Sequence, residues 1–213
     1  MRHQPVDHIR RLSTPRAAAV AGVLFALLFG AALILIRMAL PEGAEPGSQW
    51  VGAAGDRLRM SAVLMPFAGI AFLWFIGVVR DGFGGFEDKF FSSVFIGSGL
   101  LFLAMVFMSS AVGVALTHTS GEMAVFGQML LLTLSKTYAL RMAAVFMMSL
   151  ATIWLKTGLM PRWLVGVTYL VAVGLLLASD LSMWLVLAFP IWVLVVSVLL
   201  LTRAGVIDLD RDD

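Results

Sequence analysis

The chain has 213 residues, of which 61% are hydrophobic and only 13% are charged, whereas a soluble domain carries about 25% charged residues. This composition excludes a water-soluble globular protein, and the mean hydropathy of +0.97 indicates a chain that lies largely within a membrane. The net charge of +2 comes without a clustered basic patch, which excludes a nucleic-acid-binding protein. The chain has no cysteine, so disulfides, thiolate metal sites and cysteine nucleophiles are excluded as well.

Six apolar runs follow one another along the chain, each near the length of about 20 residues that crosses the hydrocarbon core as a helix. They predict spans at 17–40, 60–79, 92–116, 132–155, 163–179 and 182–202. The first run is longer than the core of a secretory signal, and no small-residue cleavage site follows it, so we expect this span to be retained. The predicted fold is all-α, a polytopic membrane helical bundle over residues 17–202, between a basic tail at 1–16 and an acidic tail at 203–213.

The distribution of Lys and Arg predicts the orientation of this bundle. In a six-span topology, ten of these residues lie on one side, in the two tails and in the segments 80–91 and 156–162, and five lie on the other side. Cytoplasmic segments of membrane proteins carry an excess of Lys and Arg. We therefore expect both termini in the cytoplasm and a multi-pass protein of the inner (plasma) membrane.

The fourth apolar run is longer than a span requires. The sequence "TSGE" at residues 119–122 has the pattern of a capping box and predicts a helix that begins near Ser120. Trp154 and Lys156 are suited to the inner membrane interface, and Lys136 lies twenty residues before Lys156. The apolar segment 123–135 is then surplus to the span. We expect it to lie in the outer interface, to re-enter the membrane, or to extend outward and dock on another protein.

Two cations interrupt this fourth run, and they allow two interpretations. In the first, Lys136 and Arg141 mark the outer end of the span and extend their charged groups toward the membrane surface. In the second, Arg141 faces the bundle, where a buried charge requires a partner, and Asp180 in the following outer turn is the candidate. The functional form of the second interpretation is an outer site for an anionic lipid or fatty acid, which includes Arg37 and Arg59. The spacing of five residues predicts that Lys136 and Arg141 point to different sides of an α-helix.

Small residues four apart in the third span predict close helix packing, either inside the bundle or with a partner helix. Together with the surplus segment, they define a candidate partner interface. Its residues are Phe126, Leu130, Leu131, Ser93, Gly97, Ser109 and Gly113.

The spans lack the side chains that catalysis or cofactor binding uses. The three histidines, His3, His8 and His118, lie outside the predicted spans, so a pair of facing haem ligands is missing. No paired carboxylates and no nucleophile next to a base lie within a span. We therefore expect a protein that is not an enzyme, with no catalytic residues, no metal site and no cofactor.

Two stretches, "FEDKFFSSVFIGSGLLFLAMVF" at residues 86–107 and "RMAAVFMMSLATIWLKTGLMPRWLV" at residues 141–165, resemble small multi-span membrane proteins of actinobacteria, a family without a characterised activity. The resemblance covers spans two to six and implies an inner-membrane protein with six helices and no catalytic residues. Because actinobacterial envelopes contain large lipid-handling complexes with small accessory subunits, it also implies an accessory or stabilising subunit of such a complex, for example a lipid importer of the Mce type. The alternative is a small transporter or lipid-binding protein that uses the outer cations.

Overall fold

The computed structural model describes residues 14–39, 53–82, 89–178 and 183–209 of the chain. All regular structure in these ranges is helical. The helices are α1 (Thr14–Ala39), α2 (Ala53–Asp81), α3 (Lys89–Leu116), α4 (Glu122–Leu132), a π-helical segment (Thr133–Ala139), α5 (Leu140–Thr157), α6 (Arg162–Ala178), a 3₁₀ turn (Met183–Leu187) and α7 (Ala188–Leu209). Elements α4, the π segment and α5 form one continuous helical stretch, Glu122–Thr157.

Five helical stretches are both long and apolar enough to cross a membrane, and α6 is a shorter apolar helix. The prediction of an all-helical, multi-pass membrane protein is therefore confirmed at this level. Helical structure reaches beyond the first and the last predicted span. Helix α1 begins at Thr14, and α7 continues to Leu209, so helical structure extends into both segments predicted as tails.

Glycine shapes both ends of the Glu122–Thr157 stretch. Gly158, with a φ of 68°, ends α5, and its N–H donates to the carbonyl of Trp154 at 2.9 Å, which satisfies one of the free carbonyls of the last turn. At the other end, Gly121 precedes α4 with a φ of 63°, and no side chain caps this helix. The predicted capping box is therefore wrong, because the Thr119 hydroxyl donates backward, to the carbonyl of Leu116 at 3.3 Å.

The helices run antiparallel between two ends of the bundle. At one end, here called the Lys136 end, a small apolar cluster joins α1, α2, α3 and α4 through Ala39, Leu58, Leu116, Ala124 and Leu131. At the opposite end, called the Lys156 end, the Lys156 ammonium lies 4.6 Å from the centre of the Phe91 ring. Helix α1 begins, and α7 ends, on the Lys156 side, because α7 runs antiparallel to α1 with Ser197 beside Gly22 and Phe189 beside Phe25.

The core between these ends is built from aromatic rings. Phe72 of α2 lies within ring-contact distance of phenylalanines from α1, α3, α5 and α7. Because apolar helices gain little by leaving lipid for a protein interior, close packing of such rings is a major source of association in a membrane bundle. A second contact is polar: the hydroxyls of Thr152 on α5 and Tyr169 on α6 lie 2.6 Å apart.

Candidate functional site

The most irregular feature of the bundle is the π segment, Thr133–Ala139. Buried residues recur three or four apart from Ala124 to Leu134, but the next buried position is Ala139, five residues after Leu134. A π-turn has i→i+5 hydrogen bonds and accommodates this extra residue, and such segments are often found at functional sites. The buried positions of α4 and α5 do not follow one continuous α-helical repeat. The extra residue compensates for this shift, so that the buried face of each helix points into the bundle.

Two serine hydroxyls stabilise the start of the π segment. Ser109 of α3 and Ser135 of the π segment donate to the same acceptor, the carbonyl oxygen of Leu131, at 3.3 Å and 2.8 Å. A side chain that bonds to the carbonyl ladder is a common cause of irregularity in a helix. The Ser109 hydroxyl also joins two helices, which fixes α4 against α3 at this level.

A cavity of about 20 Å³ lies beside the two serines. That volume is enough for about one water molecule and is far too small for an acyl chain. Its walls are apolar apart from the two hydroxyls and come from most of the bundle. The lining residues are Phe29, Leu33, Ile36, Met65, Phe102, Val106, Ser109, Ser135, Ala139, Leu140, Val186 and Phe189.

Lys136 and Arg141 each directly follow a residue that lines this cavity. Ser135 and Leu140 are five residues apart and line the same cavity, so residues five apart share a side in this segment. Lys136 and Arg141 each lie one residue further along and therefore also share a side. The prediction that they point to different sides assumed a regular α-helix, whereas this segment contains a π-turn.

The charged groups of these two residues are partly buried and have few protein partners. A guanidinium N–H of Arg141 donates to the carbonyl of Thr137 at 3.5 Å, which is a long contact. Lys136 makes no hydrogen bond or ion pair within the part of the chain that the structure describes. Asp180, the predicted partner of Arg141, lies outside the described residues.

The other predicted cations of the outer site lie at the same end on different helices. Arg37 is partly buried at the end of α1, next to the cavity-lining Ile36, and Arg59 is exposed on the second turn of α2. No described contact joins either of them to Lys136 or Arg141. Arg57, which was not among the predicted site residues, instead has a structural role: its guanidinium donates to the carbonyl of Met38 at 2.8 Å and satisfies a free acceptor at the end of α1.

The predicted partner interface divides into buried and exposed residues. Leu131, Ser109 and Gly113 are buried where α4 packs on α3, and the Leu131 side chain fills the space beside Gly113. These three are therefore internal packing residues and are not accessible to a partner, which corrects their assignment. Phe126, Leu130 and Ser93 are exposed, and Gly97 is partly exposed with open space beside it.

The segment 123–135, predicted to be surplus to the span, belongs to the continuous helical stretch Glu122–Thr157. It continues directly into the span and packs along α3, with Gly127 against Leu116 and Ala124 and Leu131 in the apolar cluster of the Lys136 end. Its other face, with Met123, Phe126 and Met129, is exposed. The segment is thus half core and half surface.

Metal ligands do not cluster in the described part of the chain, where no group of three or more His, Asp or Glu residues could hold an ion. Comparison with known proteins finds no matching family model, no similar curated protein and no similar solved structure. The resemblance of residues 86–107 and 141–165 to small actinobacterial membrane proteins therefore stays a prediction.

Proposed function

We propose that this chain is a non-enzymatic, multi-pass membrane protein that acts as an accessory or stabilising subunit of a larger cell-envelope complex. The observation that supports this proposal is the exposed apolar face of α4, formed by Met123, Phe126, Met129 and Leu130. The resemblance to actinobacterial proteins makes a lipid importer of the Mce type a concrete candidate for that complex.

The position of this face relative to the hydrocarbon layer distinguishes it from helix surface that acyl chains cover. If Phe91 and Lys156 lie at one boundary of the hydrocarbon, a thickness of about 30 Å corresponds to about 20 residues of helix at about 1.5 Å each. The opposite boundary then lies near Ala111 on α3 and near Lys136 on the long helix. Gly127 packs against Leu116, beyond that boundary, so the side chains around it lie among headgroups or in water.

An apolar face in that position lacks acyl chains to cover it. Large apolar side chains exposed to a polar environment commonly mark a site of association with another protein. A partner subunit that buries Phe126 and Met129 would remove this area from water, at a gain of about 25 cal/mol for each Å² covered.

The experiment is purification of the tagged native protein from its own cells in a mild detergent, with mass spectrometry of the proteins that accompany it. We expect a stoichiometric membrane partner with the unaltered chain and its loss with the double substitution Phe126→Ala and Met129→Ala. The matched control is Phe67→Ala with Ile70→Ala on α2. These residues are also three apart and exposed, Phe67 at 58% and Phe126 at 63%, but they lie in the middle of a span.

Retention of the partner by the α4 variant, or its equal loss from the control, would contradict the assignment of this surface. A native protein that purifies without any stoichiometric partner would overturn the proposed function itself.

A further inference from the structure

Two positively charged residues, Lys136 and Arg141, lie in and just after the π segment, near the hydrocarbon boundary inferred above from a thickness of about 30 Å. Lys136 and Arg141 share a side of the helix, since Ser135 and Leu140, the residues before them, line one cavity. They are separated along the axis by about 7 Å, from the helical rise. The Arg141 guanidinium donates to the carbonyl of Thr137, the residue that follows Lys136, at 3.5 Å.

Protein acids do not neutralise these charges within the described part of the chain. Asp56 and Glu122, at the same end of the bundle, are exposed and form no described ion pair with either cation. Lys136 and Arg141 are both partly buried, and two like charges on neighbouring turns of a helix repel one another. A partly buried charge at membrane depth is usually paired, so this arrangement is complementary to an external anion.

We propose that Lys136 and Arg141 together bind the phosphate group of an anionic phospholipid of the surrounding leaflet. Arg offers a planar set of donors, and Lys offers a compact charge, and both types are common ligands of phosphate. Basic pockets between membrane helices bind lipid headgroups in this way. The site is independent of the α4 surface, since its ligand comes from the bilayer and not from a partner protein.

The size of the adjacent cavity indicates whether the protein could bind only the headgroup of a lipid or take up the whole lipid. At about 20 Å³, it takes about one water molecule and no acyl chain. The acyl chains of the bound lipid therefore stay in the bilayer, along the exposed surface of the bundle.

The test is native mass spectrometry of the purified full-length protein with added dioleoyl phosphatidylglycerol or dioleoyl phosphatidylcholine. We expect at least about tenfold stronger retention of phosphatidylglycerol, equivalent to about 1.4 kcal/mol, and loss of this preference in Lys136→Gln with Arg141→Gln. Each single substitution should cause an intermediate loss, and Lys136→Arg should preserve binding. Arg59→Gln is the matched control, because Arg59 is an exposed cation at the same end of the bundle.

Several outcomes would overturn the proposal. Equal retention of both lipids would show that binding does not require an anionic headgroup. An equal loss of the preference for phosphatidylglycerol in Arg59→Gln would show that general surface charge causes it. An effect of Lys136→Gln alone would exclude Arg141 from the site. If oleate bound more tightly than phosphatidylglycerol and competed with it, the ligand group of the site would be a carboxylate and not a phosphate. Thermal melting of each variant shows whether the bundle itself is intact.

Discussion

The indole N–H of Trp192 on α7 donates a hydrogen bond to the hydroxyl oxygen of Thr168 on α6, at 2.9 Å. Both side chains are buried, and Thr168 is completely shielded from the surroundings. Together with the hydroxyl contact between Thr152 and Tyr169, this bond joins the short helix α6 to both of its neighbours. A short apolar helix with little length for packing thus gains two specific polar contacts.

The Trp192–Thr168 bond predicts a measurable coupling between the two residues. In a double-mutant cycle of Trp192→Phe and Thr168→Val, we expect a coupling of about 0.6 kcal/mol, and at most about 1.7 kcal/mol, the scale of side-chain hydrogen bonds between membrane helices. Unfolding in mixed micelles with increasing SDS measures it. A parallel cycle of Trp74→Phe with Thr168→Val should give no coupling, because Trp74 is exposed on α2. Equal coupling in both cycles would refute the role of the bond.

Gly22 and Gly30 provide a matched pair on the same helix. A Cβ atom at Gly22 would overlap the Ser197 hydroxyl and lie 2.8 Å from the Phe75 ring, whereas a Cβ at Gly30 meets nothing within 4 Å. We expect Gly22→Ala to lower the free energy of unfolding by about 1–3 kcal/mol, the usual cost of overpacking. Gly30→Ala should leave it unchanged or raise it by up to about 1 kcal/mol, because alanine favours a helix.

The same SDS titration measures the free energy of unfolding of both glycine variants. We expect that of Gly22→Ala to be lower than that of Gly30→Ala. Destabilisation of equal size at the two positions would mean that α1 and α7 do not approach each other at Gly22. Ser197→Ala should be tolerated, because the Ser197 hydroxyl is buried and has no hydrogen-bond partner in the described structure.

The extra residue of the π segment predicts an unusual tolerance to deletion. Removal of Tyr138, which is 53% exposed, shortens the step from Leu134 to Ala139 to the four residues of a regular α-helix. The bundle should then remain folded, because both α4 and α5 keep their buried faces. Removal of Met148 from the regular helix α5 should be disruptive, since every later residue turns by about 100° at 3.6 residues per turn.

Size-exclusion chromatography and thermal melting in detergent compare the two deletions. A monodisperse peak is expected only without Tyr138. If both deletions aggregate, the π segment is not an accommodated insertion. If the Tyr138 deletion folds, we also expect it to keep the preference for phosphatidylglycerol, because Lys136 and Arg141 are then four residues apart and share a side of a regular α-helix.

The absence of cysteine from the chain allows a direct test of the proposed orientation. Single cysteines at Ser120 and Arg162, both exposed, report on the Lys136 end and the Lys156 end. With both termini in the cytoplasm, a membrane-impermeant maleimide should label Ser120→Cys on intact cells and Arg162→Cys only after permeabilisation. Labelling of Arg162→Cys alone on intact cells would reverse the orientation, and labelling of both would contradict the topology.

Sequence reasoning located most of the apolar helices, but it could not place the residues of the candidate site. It identified Lys136 and Arg141 as exceptional because charges are rare in a span. It assumed a regular α-helix for their directions and did not foresee the π-turn, beside which a hydroxyl from another helix, that of Ser109, donates to the Leu131 carbonyl. The one local signal was the length of the apolar run, which exceeds the requirement of a single span.

Small residues illustrate the same limit. Ser109 with Gly113 and Ser93 with Gly97 have the same spacing on α3, and the sequence predicts close packing at both pairs. Only the first pair is buried, against Leu131. The spacing shows that another helix could pack closely against either pair. The arrangement of the whole bundle determines at which pair another helix lies.

The sequence by itself determined that this is a helical membrane protein, because hydropathy and run length act locally and a backbone in lipid must satisfy its own hydrogen bonds. Only the tertiary structure decided which face of each helix is core and which meets the surroundings. Ile70 and Phe75, in the middle of α2, are both apolar and five residues apart, yet one is 51% exposed and the other 0%. In a soluble protein, water would separate two such faces by polarity. In a membrane, lipid is as apolar as the core, so only packing between helices distinguishes them.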